Sequence, residues 1–376
     1  VTELDSDLSA GERQMLEALH FRFAEFRPLQ AALHADTLPD NTVRGRVEVP
    51  QPETFSGIPT GDEGAALARR GGELIGSGAA ALLLLNGGMA TRFGGRVKGV
   101  IDALPGHSFL SLQMGRLRAL RSTTASCPLL LMNSRATDTS TREHLEANHY
   151  FGMAGEDVFT FTQSGAPRLR ADGTLYRDAH GELSIYGPGH GDLLPSLRRS
   201  GALQWARERG VSYLLCANVD NLAATLDERL LGLFAQCSSE MMGEVCTKER
   251  GDIGGSPVWV DGRLQIVEDF AFPEAFDKQS IPVFNTNTLW FRCDALAREL
   301  PLSWYEVRKQ VDGTEIVQFE QLVGQASWFL DSLFTRVPRQ RFQPVKTPED
   351  LRNAQESLRR MFPEASGQGT AEPTLR

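Results

Sequence analysis

The residues that say most about chemistry run Leu82-Leu83-Leu84-Leu85-Asn86-Gly87-Gly88-Met89-Ala90-Thr91-Arg92-Phe93-Gly94-Gly95-Arg96-Val97-Lys98. A short apolar run empties into glycines, and a lysine follows. The run is too short for an ordinary helix and reads as a buried parallel strand. Without a Cβ, Gly87 and Gly88 let the backbone approach a flat base or a phosphate closely. Amide hydrogens in such a turn point at anions, and Lys98 supplies the compact cation a polyphosphate needs. An ordinary strand-to-helix turn is the competing explanation, because glycine pairs are common in loops. Adjacent glycines do not fit the spaced dinucleotide fingerprint, and no Gly-Lys-Ser or Gly-Lys-Thr closes a P-loop.

Other segments carry polar groups at places where chemistry could gather. Asp220 stands in Asn218-Val219-Asp220-Asn221-Leu222, just after the strand-like Tyr213-Leu214-Leu215-Cys216. A carboxylate there could ligate a cation or cap a following helix, although Ala223-Ala224 lies too far along for a simple cap. Gln163, in Phe161-Thr162-Gln163-Ser164, can present a donor and an acceptor to the imide edge of a base. His190 sits in a loop shaped by Gly187, Pro188, Gly189 and Gly191. Asn285 and Asn287 alternate on a strand, so both can point to one face. Lys346 ends Arg341-Phe342-Gln343-Pro344-Val345-Lys346, an apolar approach that would carry its amine toward the interior. A solvated surface charge is the alternative for either lysine. Lys248 with Gly254-Gly255 serves either a ligand-side loop or structural support.

These groups need a scaffold, and hydropathy patterning supplies one. Helical and strand patterns alternate: helix near 63–75, strand 81–86, helix 108–121, strand 128–132, helix 139–149, strand 157–162. That alternation implies crossover units and a largely parallel sheet. A helix over 192–209 leads into a strand over 212–217, which delivers Asp220 to the carboxyl edge where open α/β sheets bind ligands. Asp172-Gly173 and Asp261-Gly262 read as hairpin turns. Upstream, Arg13 to Ala35 shows one apolar helical face, with Pro28 expected to break it. Residues 37–62 read as an irregular linker, 348–361 as a helix, and the tail from Gly367 as disordered. The expected units are 1–62, an N-terminal helical segment with linker, 63–351, the catalytic domain, and 352–376, a helix end and tail.

Composition suits a soluble enzyme. The 376 residues leave room for a large core, with 41% hydrophobic and 23% charged residues. A net charge of −9 argues against a nucleic-acid or anionic-membrane surface. No apolar run is long enough for a transmembrane helix, and no signal-peptide pattern opens the chain. Five scattered cysteines without a Cys-x-x-Cys suit a reducing cytoplasm and no zinc site.

Taken in order, the segments around Gly87, Gln163, His190, Asp220, Asn285 and Lys346 resemble the successive motifs of the UDP-glucose pyrophosphorylases. These are the eukaryotic-type UTP–glucose-1-phosphate uridylyltransferases, and the resemblance covers roughly residues 80–351. It implies an α/β, Rossmann-like nucleotidyltransferase fold of GT-A type, with a mixed, mainly parallel sheet flanked by helices. It implies Mg²⁺-assisted attack of glucose-1-phosphate on the α-phosphate of UTP, giving UDP-glucose and pyrophosphate. Lys346, Lys98 and Asp220 are then catalytic, with Asp220 also the metal ligand. UTP is met by Leu85, Asn86, Gly87, Gly88, Lys98, Gln163, Gly189, Asp220 and Lys346. The sugar phosphate is met by Gly87, Gly88, His190, Asn218, Val219, Asp220, Asn285 and Asn287. Arg92 is a reserve cation.

Ala90 departs from the family's usual glycine, and the loop from Gly94 to Lys98 is slightly short. The chain stops soon after Leu351, so the expectation is a short form without the family's C-terminal β-helix, a monomer or dimer. Within the class, a UDP-N-acetylhexosamine or broad-specificity UDP-sugar pyrophosphorylase is the runner-up. A non-catalytic nucleotide-sugar-binding protein would have lost Asp220 or Lys346, and both are present. A glycosyltransferase would carry Asp-x-Asp, but Asn221 and Leu222 follow Asp220.

Overall fold

Leu82, Leu83 and Leu84 are each at most 1% exposed, and they stand on strand β1 (Ala80–Asn86), which is buried along its whole length. Successive side chains of a strand face opposite ways. Accordingly Leu82 and Leu84 join one hydrophobic core, and Ala81, Leu83 and Leu85 join another. The computed structural model describes residues 3–90, 93–120, 127–252 and 254–366. The tail expected from Gly367 lies outside the described residues.

β1 lies inside a seven-stranded sheet with β2 (Leu129–Asn133), β3 (Val158–Thr162), β4 (Tyr213–Asn218), β5 (Met241–Thr247), β6 (Val283–Arg292) and β7 (Ser332–Arg336), in the order β7-β5-β6-β4-β1-β2-β3. β4, β1, β2 and β3 run parallel, as do β5 and β7, while β6 is antiparallel to both its neighbours. The mixed, mainly parallel sheet is the expected one.

Helices cover both faces. After a short helix at Glu3–Asp7 come α1 (Ala10–Ala18) and α2 (Phe23–His34), then α3 (Gly61–Gly76), α4 (Phe109–Ala119) and α5 (Arg135–Ala147). Further along are α6 (Leu193–Arg199), α7 (Ala202–Glu208), α8 (Glu228–Gln236) and α9 (Pro348–Met361). Ile75, Phe109, Leu145, Phe234 and Leu358 bring α3, α4, α5, α8 and α9 to the face of Leu82 and Leu84. Leu193, Leu197 and Leu203 bring α6 and α7 to the other. Truncating a core leucine such as Leu84 to alanine would cost about 2–5 kcal/mol in lost burial and residual cavity.

Two helix boundaries differ from the sequence pattern. The expected helix over 192–209 is broken between α6 and α7, where Gly201 adopts a left-handed φ of 78°. The N-terminal break falls after α1, at His20 with φ 54°, and Pro28 lies inside α2 instead of ending it. Both hairpin turns form as read. Asp261 and Gly262 take φ of 47° and 81° between paired strands, and Gly173 at 84° turns a tight loop closed by Arg170 and Thr174. α1 and α2 do not stand apart from the rest. Leu16, Phe26 and Leu33 share a core with Leu169, Tyr186 and Phe319.

Candidate active site

β1 and β4 are parallel neighbours with Leu85 opposite Asn218, so both strands release their chains at the same sheet edge. The Val219 N–H donates to Leu85 O at 3.2 Å. This places Asp220 beside the Gly87-Gly88 turn, at the edge where parallel sheets bind ligands. Asp220 caps no helix, because the next helix, α8, begins at Glu228 with Asp227 as its cap.

Beyond the glycines, Met89–Ala90 pairs with Arg96–Val97 as a short hairpin, and one turn of 3₁₀ helix follows at Lys98–Val100. Lys98 is buried, 8% exposed, with its ammonium 4.7 Å from the centre of the Phe93 ring. The ammonium lies 3.6 Å from Asp220 Oδ2 and donates to the Val345 carbonyl. Val345 N–H in turn donates to Asp220 O at 3.2 Å.

The segment carrying Lys346 is therefore tied to Asp220 by main chain and through Lys98. Asn221 adds a clamp, accepting the Gln343 N–H at 3.1 Å and donating to Arg341 O at 3.2 Å. Arg341 is anchored by a two-pronged bond to the buried Glu244, at 2.7 and 2.8 Å. Lys346 is exposed, so the expectation that its approach carries the amine into the interior does not hold. Val345 is the buried residue, and Lys346 reaches the site from its solvent side.

On the opposite wall, Gln163 follows β3, its N–H donating to Asn133 O at 2.9 Å. Its amide lies against Gly87 and Gly187, where an added Cβ would come within 3.0 and 2.1 Å of Nε2. Gly189 needs its lack of a side chain twice over. Its φ is +83°, and a Cβ would lie 2.4 Å from Gln321 O. His190 Nδ1 accepts the Val323 N–H at 3.0 Å, which leaves the proton on Nε2. Burial holds this imidazole down at about 4, against the opposing influence of Glu320. At neutral pH it is an uncharged donor.

These elements enclose a cavity of about 480 Å³. Leu85, Gly87, Gly88, Lys98, Gln163, Gly189, His190, Asn218, Val219, Asp220 and Lys346 all stand on its wall. Burial pushes the Asp220 carboxyl above its ordinary 3.8, with Lys98 and Lys346 pulling the other way.

Three candidates stand off the wall. The Asn86 side chain is fully buried and donates to Asn133 Oδ1 at 2.8 Å and Thr141 Oγ1 at 2.9 Å. Asn285 and Asn287 do not simply alternate. The register of β6 against β5 slips between Glu244 and Val245, and Asn287 adopts φ 56°. In this bulge Asn285 Oδ1 accepts the Asn287 N–H at 3.2 Å, and Asn287 Nδ2 donates to Asn218 Oδ1 at 3.2 Å. Asn287 thus braces a wall residue. Lys248 Nζ donates to Lys278 O at 2.8 Å, a structural contact. Arg92 lies outside the described residues.

The sequence reading passed over Met89 and Met132, which line the cavity together with Gly187 of the His190 loop. It also passed over Glu268, whose Oε1 is 3.1 Å from where a Gly255 Cβ would stand. Asn285 N–H donates to Gly255 O at 2.9 Å, which brings this carboxyl into the Asn285 neighbourhood. Burial, reinforced by Asp269, pushes Glu268 up to about 7. A single acid at a strand end gives no pattern, so only the fold could reveal it.

A mixed sheet flanked by helices, with a glycine-walled cavity lined by Lys98, Asp220 and Lys346 at the carboxyl ends of its parallel strands, defines an α/β protein with a candidate ligand site at the sheet edge. The chain belongs to the UTP–glucose-1-phosphate uridylyltransferase family, whose model matches residues 73–364. It is 34% identical over 286 residues to the UTP–glucose-1-phosphate uridylyltransferase of Encephalitozoon cuniculi, covering 72% of this chain and 57% of that one. The chain thus spans less than two thirds of the length of that curated relative. Among solved structures it is similar to a mutant UDP-glucose pyrophosphorylase from Leishmania major in complex with UDP-glucose. The TM-score is 0.70 at 25% identity, over 92% of this chain and 78% of that one. A uridine diphosphate N-acetylglucosamine pyrophosphorylase from Trypanosoma brucei shares the fold, with TM-score 0.76 at 20% identity, over 92% and 79%. Among the described residues no helix is long and apolar enough to cross a membrane.

Proposed function

We propose that this protein transfers a uridylyl group from UTP to glucose-1-phosphate, releasing pyrophosphate. The observation that carries the reading is the gathering of Lys98, Asp220 and Lys346 in one cavity whose opposite wall presents Gln163 and His190. Those residues come from five separate stretches of chain, and each answers one need of the reaction. Family membership and the UDP-glucose bound to the Leishmania major relative point the same way.

Both reactants are anions, so the protein's work is to neutralise, align and exclude water. The Gln163 amide offers uracil one donor and one acceptor. Gly87 and Gly88 let base and phosphates lie against the main chain. Lys346 meets the α-phosphate and Lys98 the phosphates behind it. A phosphate oxygen of the sugar phosphate forms a bond to the α-phosphorus, and the α–β anhydride bond breaks with its electron pair leaving on pyrophosphate. Neutral His190 donates Nε2–H to a sugar-phosphate oxygen. Asn218, held by Asn287, faces the same substrate.

Mg²⁺ is part of the proposal. Among the described residues no group of three or more His, Cys, Asp or Glu gathers to hold a metal. Asp220 presents a carboxylate on the cavity wall, and Mg²⁺ binds through one or two carboxylates plus substrate phosphates and water. Asp220 would hold it, and the bound ion would neutralise charge on the phosphates.

The test is pyrophosphate release from UTP, ATP and dTTP, each offered glucose-1-phosphate, galactose-1-phosphate and N-acetylglucosamine-1-phosphate. UTP with glucose-1-phosphate is expected to turn over fastest. Equal turnover with ATP would sink the uracil assignment, and a preference for the N-acetylated sugar would move the substrate to an amino-sugar phosphate.

A further inference from the structure

The N-terminal segment reads in the sequence as separate from the catalytic domain, yet one of its side chains reaches two loops of the cavity. Arg22 precedes α2, its guanidinium 4.4 Å from the centre of the Trp304 ring. Nη1 donates to Glu25 Oε2 at 3.0 Å. Nη2 donates to Gln321 Oε1 at 2.7 Å and lies 3.2 Å from Asp192 Oδ1.

Each partner of that nitrogen holds a different loop. Asp192 is fully buried. Its Oδ2 accepts the Ser164 N–H at 2.6 Å and the Ser196 hydroxyl at 2.7 Å, and its Oδ1 accepts the Ser164 hydroxyl at 3.2 Å. Ser164 directly follows Gln163. Gln321 brackets the other loop, its N–H donating to Pro188 O at 2.9 Å and its O accepting the Gly191 N–H at 2.7 Å. Gly189 and His190 lie between those two bonds. Leu19 O, on the same N-terminal connection, accepts the Gly165 N–H at 2.9 Å. Arg199 braces Ser164 from the other side, through Ser164 Oγ at 3.1 Å, Ser196 Oγ at 2.9 Å and Thr162 O at 3.2 Å. Arg22 joins the Asp192 and Gln321 sides.

We propose that Arg22 is a positioning residue of the nucleotide site, fixing the Gln163 loop and the His190 loop relative to each other. A planar guanidinium suits the task, because one nitrogen can satisfy a carboxylate and an amide oxygen in a fixed arrangement. Removing it takes a cation from a fully buried carboxylate, and a buried charge left less compensated destabilises the arrangement built around it. The carboxylate most affected is the one that holds the Ser164 N–H. Gln163 would then lose its register against Gly187, and discrimination of the base would suffer with it. This inference rests on the reading of Gln163 as the uracil contact.

The test is calorimetric binding of UTP and of CTP to the full chain, wild type and variants, read without turnover. R22A is expected to weaken UTP binding at least tenfold and to shrink the UTP-over-CTP preference, with R22K recovering part of both. R177A is the control. Arg177 pairs with Glu12 of α1, so its loss loosens the same segment without touching the network. R177A should leave both affinities within twofold of wild type. If R22A does not fold, Q321A, which keeps the Arg22–Asp192 pair, is expected to weaken UTP binding by severalfold. Wild-type affinity and preference in R22A, or in Q321A where R22A does not fold, would overturn the inference. So would equal losses in R177A and R22A. A wild-type protein that prefers UTP yet releases no pyrophosphate defeats the proposed reaction alone, whereas one with no base preference defeats both.

Discussion

The ammonium of Lys98 stands 3.6 Å from the carboxylate of Asp220 and donates to the carbonyl of Val345, the residue before Lys346. One buried cation therefore joins the glycine-turn segment, the β4 edge and the Lys346 segment. The pair is enclosed, so its charges act at an effective dielectric well below that of water.

Burial raises the Asp220 carboxyl above 3.8, and the two lysines oppose it. A raised folded pKa means the protonated form persists to higher pH than in a free aspartate. Activity that needs the carboxylate should rise with pH through that raised value. We expect the acid limb of kcat/KM to lie above the ordinary carboxylate range and to be missing from Asp220→Asn. Turnover of the folded variant should fall by about two to three orders of magnitude. Parallel pH profiles for the two proteins would count against Asp220.

Lys98→Met removes the cation that most strongly opposes the rise in Asp220 and leaves the Val345 carbonyl without its donor. The acid limb should move further upward, and stability should drop by about 1–3 kcal/mol for the unsatisfied group. Urea unfolding together with a pH profile reads both effects, and an acid limb that stays put would contradict the pairing.

Glu268 predicts the pH dependence of stability. Its folded value of about 7 lies above the ordinary 4.5 because of burial and Asp269. The folded state then holds a proton that the unfolded state releases between those values, so this stabilisation is full below 4.5 and lost as pH rises through 7. The span corresponds to about 3 kcal/mol at most. Glu268→Gln should flatten the stability curve over that range and be the more stable protein at about pH 8. Unfolding curves at about pH 5 and about pH 8 check it.

Gly187→Ala would set a methyl 2.1 Å from Gln163 Nε2, the far end of a flexible side chain. The amide can swing away, so stability should change by no more than about 1 kcal/mol. KM for UTP should nevertheless rise about tenfold with kcat little changed. An unaltered KM would show that Gln163 does not read the base.

Much of this arrangement was legible because it is local. β1 and β4 are continuous apolar runs, and parallel neighbours necessarily release Gly87 and Asp220 at one edge. What escaped was long-range or depended on backbone irregularity. The β6 bulge reorients Asn285 and Asn287, and no periodicity announces a register slip. Asn86 is drawn inward by Asn133 and Thr141, 47 and 55 residues away in sequence. Lys346 stays exposed because Val345 takes the buried place beside Asp220. Arg22 meets Gln321 across 299 residues of sequence, a pairing only the folded chain makes visible.

The account turns on which phosphoanhydride bond breaks and where the uridylyl group goes. Phosphorus NMR of UTP, glucose-1-phosphate and Mg²⁺ with catalytic amounts of the protein reads both directly. The account predicts equal growth of pyrophosphate and of the two diphosphate signals of UDP-glucose, with loss of the sugar-phosphate resonance and no orthophosphate. Appearance of UDP with orthophosphate, or of UMP with the sugar phosphate untouched, would contradict it.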